Sequence, residues 1–308
     1  MRNAVVRKIT ELAEKNEKII LMTGDLGYNV LNVFWEKFPE RFFNAGIAEQ
    51  NMMAVAAGMA LENKIVFAYS VANFPTLRCL EQIRNDCAYH QANVKIVSIG
   101  GGFAYGSLGM THHATEDIGV IRALPNMTVI SPGDLTEAEK AVEAICKING
   151  PCYLRLGKGG EKRLHSEEIE FTVGKALEVK SGSRAAIFTT GAILEEAIEA
   201  AERLREKGID PYIFSFHTIK PIDADTIRKV AGEVELIITL EEHNIIGGLG
   251  SAVAEVLAEN EKGARLRRMG LNDTYSGIVG NQKYLRKYYH MDAESVAGEI
   301  LNVLGKGE

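Results

Sequence analysis

The sequence predicts an α/β protein built from two consecutive parallel-sheet α/β domains, and two observations carry that prediction. Short β-rich runs alternate with helical patterns along the chain, and one glycine-rich, then charged, stretch interrupts the alternation near its middle. In the first half the runs are IILMTG, KIVFAYS, VKIVSIG, MTVISP and CYLRLG, with helical patterns such as TLRCLEQIRNDCAYHQ and DLTEAEKAVEAICKI between them. In the second half the runs are AAIFTT, PYIFSF, ELIITLEEH and ARLRRMG, and the helix AILEEAIEAAERLREKG ends on Gly208, a fitting C-cap. The interruption, GKGGEKRLHSEEIEF, has little apolar content and reads as a linker. It sets the expected domains at 1–157 and 173–308, with the linker at 158–172. At the start, MRNAVVRKITELAEKNEK has apolar residues at helical spacing among charges, an amphipathic helix without the apolar core of a signal peptide. The polar C-terminal end reads as a short frayed tail.

With 46% hydrophobic and 25% charged residues, the 308-residue chain has the means to fill two cores without disulfide or metal staples. Its 35 basic and 41 acidic residues give a formal charge of −6, so no electrostatic footprint for nucleic acid or an anionic membrane surface is expected. Small molecules and other proteins remain as partners. Cys79, Cys87, Cys146 and Cys152 form no C-x-x-C pair and fall in segments that read as buried helix or strand. Reduced structural thiols, and with them a cytoplasmic location, are expected. No run approaches the length of a membrane span.

Ligands of open α/β sheets gather at the carboxyl ends of strands, so residues just after each β-run carry the functional reading. Asp25 follows IILMTG, Glu49 follows RFFNAG, the segment from Val71 to Phe74 follows KIVFAYS, and a glycine-rich loop ending in GMTHHATED follows VKIVSIG. Each has an ordinary structural explanation. A carboxylate such as Glu49 in a first helical turn is favoured by the macrodipole alone, yet MAVAAGMAL after it leaves almost no polar face, and a buried carboxylate needs a partner or a proton. His112 and His113 could lie in the first turn of a helix through ATEDIGVIRAL that Thr111 caps, and as neighbours they cannot share one helix face. GGGFAYG has the wrong spacing for a dinucleotide fingerprint. GGLGSA, 247 to 252, opens a helix and would suit either an anion or close backbone packing.

Taken together, GIAEQNM, FAYSVANFPTLRCLEQIR, GMTHHATEDIGVIRALPNMTVISPGD, HTIKPID and EEHNIIGGLGSAVAEVLAE resemble the C-terminal half of a transketolase, as found where that enzyme is split into two chains. The resemblance spans nearly the whole chain. It implies a pyrimidine-binding domain followed by a transketolase C-terminal domain, acting with thiamine diphosphate to move a two-carbon ketol unit between sugars or sugar phosphates. In that family the glutamate of the GIAEQNM motif bonds a pyrimidine ring nitrogen and activates the cofactor's own carbanion chemistry, which makes Glu49 catalytic as well as cofactor-binding. The resemblance further implies that Phe74 stacks on the pyrimidine, that Asp25 lies beside the cofactor, that His112 faces the substrate and hydrogen-bonds its oxygens, and that Arg2 and Lys158 hold a substrate phosphate.

The family holds the diphosphate and its metal through Gly-Asp-Gly followed by Asn, and here GDLGYN breaks that motif. No metal site is therefore expected in this chain. An N-terminal transketolase subunit would supply the diphosphate site with its Mg2+ or Ca2+, in a heterotetramer of two chains of each kind. The sequence also departs from the family at Gly100 to Gly102 and Leu108, where a histidine and an acid are usual, and at Val71 and Leu77, where aromatic residues are usual. These changes point to an atypical acceptor. Two alternatives share parts of the pattern: the beta subunit of a 2-oxoacid dehydrogenase decarboxylase component, and a non-catalytic binding subunit.

Overall fold

The computed structural model describes residues 1–165, 169–260 and 263–305. Part of the expected linker, 166–168, and the end of the expected frayed tail, 306–308, lie outside the described residues. Twelve described strands form two sheets: β1 Ile19–Thr23, β2 Phe42–Asn44, β3 Ile65–Val71, β4 Val94–Ile99, β5 Thr128–Ile130, β6 Cys152–Leu156, β7 Leu177–Lys180, β8 Arg184–Thr190, β9 Tyr212–Ser215, β10 Thr218–Lys220, β11 Val234–Asn244 and β12 Arg265–Leu271. The first sheet has the order β10-β5-β6-β4-β3-β1-β2 and the second β12-β11-β8-β9-β7.

Every residue of β1, β4 and β6 is buried, as strands covered on both faces require. Alternate residues serve opposite layers. Ile19 and Leu21 pack with Val5 and Ile9 of the Arg2–Lys15 helix and Val142 of the Leu135–Lys147 helix, whereas Ile20 and Met22 pack with Met52, Met53 and Ala56 of the Glu49–Leu61 helix. The second sheet repeats the device, with Ile187 and Ile238 facing the Leu194–Arg205 helix, and Phe188 and Ile237 facing the Ala224–Glu233 and Leu249–Ala258 helices.

Two strands depart from the purely parallel expectation. The β7 strand runs antiparallel to β9, and β10, from the second half of the chain, runs antiparallel to β5 at the edge of the first sheet. A three-residue strand, TIK, is too short to reveal a period of two. What fixes it is a side chain, since Lys220 donates to the carbonyls of Arg122 and Leu124, which end the Asp117–Arg122 helix. Gly119 of the same helix meets Gly247 so closely that a Cβ added at Gly247 would lie 2.9 Å from the Gly119 Cα. Arg122 also reaches Gly247 O and the Glu255 carboxylate.

The TLRCLEQIRNDCAYHQ segment is helical but not one α-helix. It opens as a 3-10 turn at Leu77–Cys79, passes through Leu80–Gln82 and finishes as a π-helical stretch, Ile83–Tyr89. Pro75 lacks an N–H and the Thr76 hydroxyl bonds back to Ala72 O at 2.7 Å, so the start is bent away from regular geometry.

Asp134, Glu137 and His165 lie together, but their acceptors are met by protein donors. Asp134 accepts from the backbone N–H of Glu137, Leu164 and His165, and Glu137 accepts from Gly133 N and contacts His165 Nε2 at 2.7 Å. The cluster pins the middle of the linker, at Leu164 and His165, to the Leu135–Lys147 helix. Beside it His217 is stacked on Phe171 at 3.9 Å, and burial pulls its pKa down to about 4 against the charges of Glu137 and Asp223, with the His165 charge lowering it further. A histidine depressed from 6.5 binds its proton in the unfolded chain first, so stability falls as pH drops from 6.5 towards 4. His165, whose pKa is raised by Glu137 over the opposing effect of burial, changes its contribution only above 6.5. Denaturant unfolding between pH 6.5 and 4.5 should therefore show a slope approaching about 1.4 kcal/mol per pH unit, and His217→Gln should flatten it. An unchanged slope in the variant would assign the loss to another group.

Candidate active site

Glu49 opens its helix behind Ala48, and the strand-end geometry brings Gly24 against it: a Cβ at Gly24 would lie 3.2 Å from Glu49 Cγ. The carboxylate is 2% exposed, the burial expected from the apolar run that follows. It is paired with Arg78, whose Nη1 donates to Oε2 at 2.7 Å. The Arg78 guanidinium also lies 4.5 Å from the centroid of the Phe74 ring. Phe74 itself meets the His112 ring edge-on at 5.4 Å. Three of the expected residues, Glu49, Phe74 and His112, thus form one cluster at the carboxyl ends of the strands, with Arg78 in its middle.

The histidine pair divides its roles as adjacency demands, though not on a helix. Met110–His112 is a 3-10 turn, the next helix begins only at Asp117, and Thr111 caps nothing there; its hydroxyl instead meets His112 Nδ1 at 3.0 Å. His113 is buried against Phe103 with Nε2 at 3.2 Å from Gly106 O, while His112 is half-exposed in the cluster.

From His112 the site continues through Tyr105, 6.4 Å away ring to ring, to Lys158, whose Nζ lies 4.9 Å over the Tyr105 ring. Burial raises the Tyr105 pKa, and the neighbouring positive Arg2 opposes that rise. Arg2 and Lys158 line one cavity of about 440 Å³ with Arg7, Asn3 and Glu161, a predominantly basic recess next to the cluster. Asp25 sits apart, with its backbone at φ 58°. Its carboxylate accepts from Asn44 and Tyr28, which hold its pKa below the usual carboxylate range, and it lines a separate cavity of about 380 Å³.

Arg78 and Tyr105 are the two members that the sequence does not single out. Arg78 lies in the 3-10 turn just after the non-helical turn that holds Phe74, so no helical spacing in the sequence pairs the two. Tyr105 lies inside GGGFAYG, and its ring explains the first glycine, since a Cβ at Gly100, where φ is +96°, would fall 2.2 Å from Tyr105 carbons. Arg155 and Glu242 close on Gly101 and Gly102 in the same way. The three glycines therefore leave no open volume at their own positions, because the protein fills that space itself. Leu108 is 55% exposed and leaves a nonpolar surface where the family's acid is usual. The GGLGSA segment holds no free anion site either. Glu241, among the last residues of β11, accepts from Leu249 N at 2.7 Å and Gly250 N at 2.8 Å, so the first two N–H groups of the helix are already taken and the glycines serve close packing.

Comparison with known proteins agrees with this architecture. The family model for the transketolase pyrimidine binding domain matches residues 1–160, and that for the transketolase C-terminal domain matches residues 174–296. A putative transketolase C-terminal section of Methanocaldococcus jannaschii is 41% identical over 309 residues, covering 99% of this chain and 96% of its relative. One of the apulose-4-phosphate transketolase subunits of Phocaeicola vulgatus is 36% identical over 307 residues, covering 99% and 97%. A solved split-gene transketolase, described as an inactive beta4 tetramer, superposes with a TM-score of 0.89 at 36% identity over 100% of this chain and 98% of that one. Two sheet domains in this order are those the two family models describe, a pyrimidine-binding domain followed by a transketolase C-terminal domain. The chain belongs to the transketolase family.

Proposed function

We propose that this chain is the C-terminal subunit of a thiamine diphosphate-dependent transketolase, transferring a two-carbon ketol unit between sugars once an N-terminal subunit completes the site. The observation that carries the reading is the buried Glu49 carboxylate and the Phe74 ring, linked by the flat Arg78 guanidinium between them. An aminopyrimidine needs a carboxyl on one edge and a flat apolar surface under its face, and these two side chains offer both. The buried Oδ1 of Asn73, next in sequence to Phe74, has no hydrogen-bond partner among the described residues and is a further acceptor at hand.

When bound, thiamine diphosphate supplies the carbanion chemistry of the transfer. Glu49 would hold the pyrimidine ring by a hydrogen bond to a ring nitrogen, strengthened by its low-dielectric setting. Phe74 would support the face of that ring. His112, packed against Phe74, is positioned to hydrogen-bond substrate oxygens as charge develops on them. Arg2 and Lys158 hold a phosphate in the basic recess, and Asp25 serves the cofactor side from its own, separate cavity. The diphosphate with its Mg2+ or Ca2+ belongs to the partner, and the working assembly is a heterotetramer in the cytoplasm. Among the described residues no helix is long and apolar enough to cross a membrane.

For the substrate pair, the reading is a common ketose phosphate as donor and an atypical sugar as acceptor, a larger or nucleotide-linked ketosugar. What supports it is Leu108, which offers nothing to a hydroxyl where a carboxylate is usual. Competition kinetics on the reconstituted pair tests it. A best acceptor other than ribose 5-phosphate is expected; ribose 5-phosphate as best acceptor, with kcat/KM of roughly 10⁴ M⁻¹s⁻¹ or above, would identify an ordinary transketolase.

A further inference from the structure

We infer that Arg78 is a displaceable occupant of the slot between Glu49 and Phe74, so that this chain competes with its own cofactor for the aminopyrimidine position. The inference rests on the cofactor reading of those two residues. A guanidinium is flat, carries N–H groups on its edge and presents a face to an aromatic ring. Here it uses both properties at once, with Nη1 2.7 Å from Glu49 Oε2 and Cζ 4.5 Å from the Phe74 centroid. A flat nitrogen heterocycle bonded to Glu49 and stacked on Phe74 needs those same two surfaces. Both groups cannot occupy them together.

The burial of the two partners shows which one yields. Glu49 is 2% exposed and anchored in its helix, whereas the Arg78 side chain is 45% exposed and rises from the Leu77–Cys79 turn. Arg78 can rotate into solvent without disturbing the core; Glu49 cannot. Without either occupant, Glu49 would be a buried carboxylate lacking a charged partner, which is unfavourable. Arg78 therefore stabilises the site until a ligand replaces it. Because the pair is partly exposed its attraction is screened, and the competition it imposes is modest.

The test uses thiamine as a probe of the isolated chain and thiamine diphosphate with Mg2+ as a probe of the reconstituted pair, both by calorimetric titration. Arg78→Met keeps the apolar stem and removes the flat charged head. It should bind thiamine about two- to fivefold more tightly than the wild type, because self-occupancy reduces apparent affinity by the fraction of molecules whose slot is free. Arg78→Lys, which keeps the charge without the planar fork, should fall between them, and circular dichroism confirms that each variant is folded. Unchanged or weaker thiamine binding by folded Arg78→Met, or no measurable binding by either protein, overturns the inference. Phe74→Ala and Glu49→Gln in the pair separate the two levels. If they weaken thiamine diphosphate binding while Arg78→Met changes nothing, the cofactor reading stands and the competition does not; if they leave binding intact, the cofactor reading itself fails.

Discussion

Glu49→Gln in the reconstituted complex should lose at least roughly 100-fold in ketol transfer, the lower range for a positioned acid or base. The substitution keeps the side chain's length and its place in the first helical turn, and removes only the group that can hold or release a proton. It also removes the negative partner of Arg78, whose own side chain is exposed enough to turn to water. Cofactor affinity should fall by less than turnover does, since Phe74 and the partner's diphosphate site still bind. Steady-state rates and cofactor titration on the same preparation separate the two effects. Retention of the wild-type rate would leave Glu49 as a carboxylate favoured by the helix dipole and nothing more.

An all-or-none result is expected for the chain alone. GDLGYN, at the carboxyl end of β1, lacks the diphosphate motif, and Asp25 within it spends its carboxylate on Asn44 and Tyr28. The isolated chain should therefore bind thiamine diphosphate weakly and show no ketol transfer, and both should appear when an N-terminal subunit is added. Mixing at fixed concentration of this chain and rising partner, with rate and bound cofactor recorded together, gives the measurement. The exposed side of the Glu49–Leu61 helix carries the small residues Ala54 and Gly58 and suits close packing within such an assembly. Robust turnover by the purified chain would end the two-subunit reading.

The parts of the fold that the sequence makes legible are those with a period. Runs such as VKIVSIG and CYLRLG are buried on both faces and stand out by composition, and the amphipathic helices declare themselves by spacing. What escapes detection lacks a repeat. β10 is held by a lysine reaching another helix's carbonyls, and the irregular start after Phe74 comes with a proline and a hydroxyl back-bond, neither of which leaves a periodic mark. The same division holds at the site. Glu49 is visible because a carboxylate before an apolar helix is chemically costly, while Arg78 and Tyr105 become visible only when tertiary geometry places them against Phe74 and Gly100. The partners of the glycines at 100 to 102 are hidden for a related reason, because only the folded chain brings Tyr105, Arg155 and Glu242 against them.

The edge strand β10 changes what counts as one piece of this molecule. A segment from beyond the linker completes the first sheet, Lys220 clasps the Asp117–Arg122 helix, and Gly119 rests on Gly247. The linker is thus a seam in the sequence and not a joint in the body. A protease that severed it would leave two fragments still interleaved through a shared sheet, and a gene ended there would leave β5 with an open edge, ready to pair with a stranger.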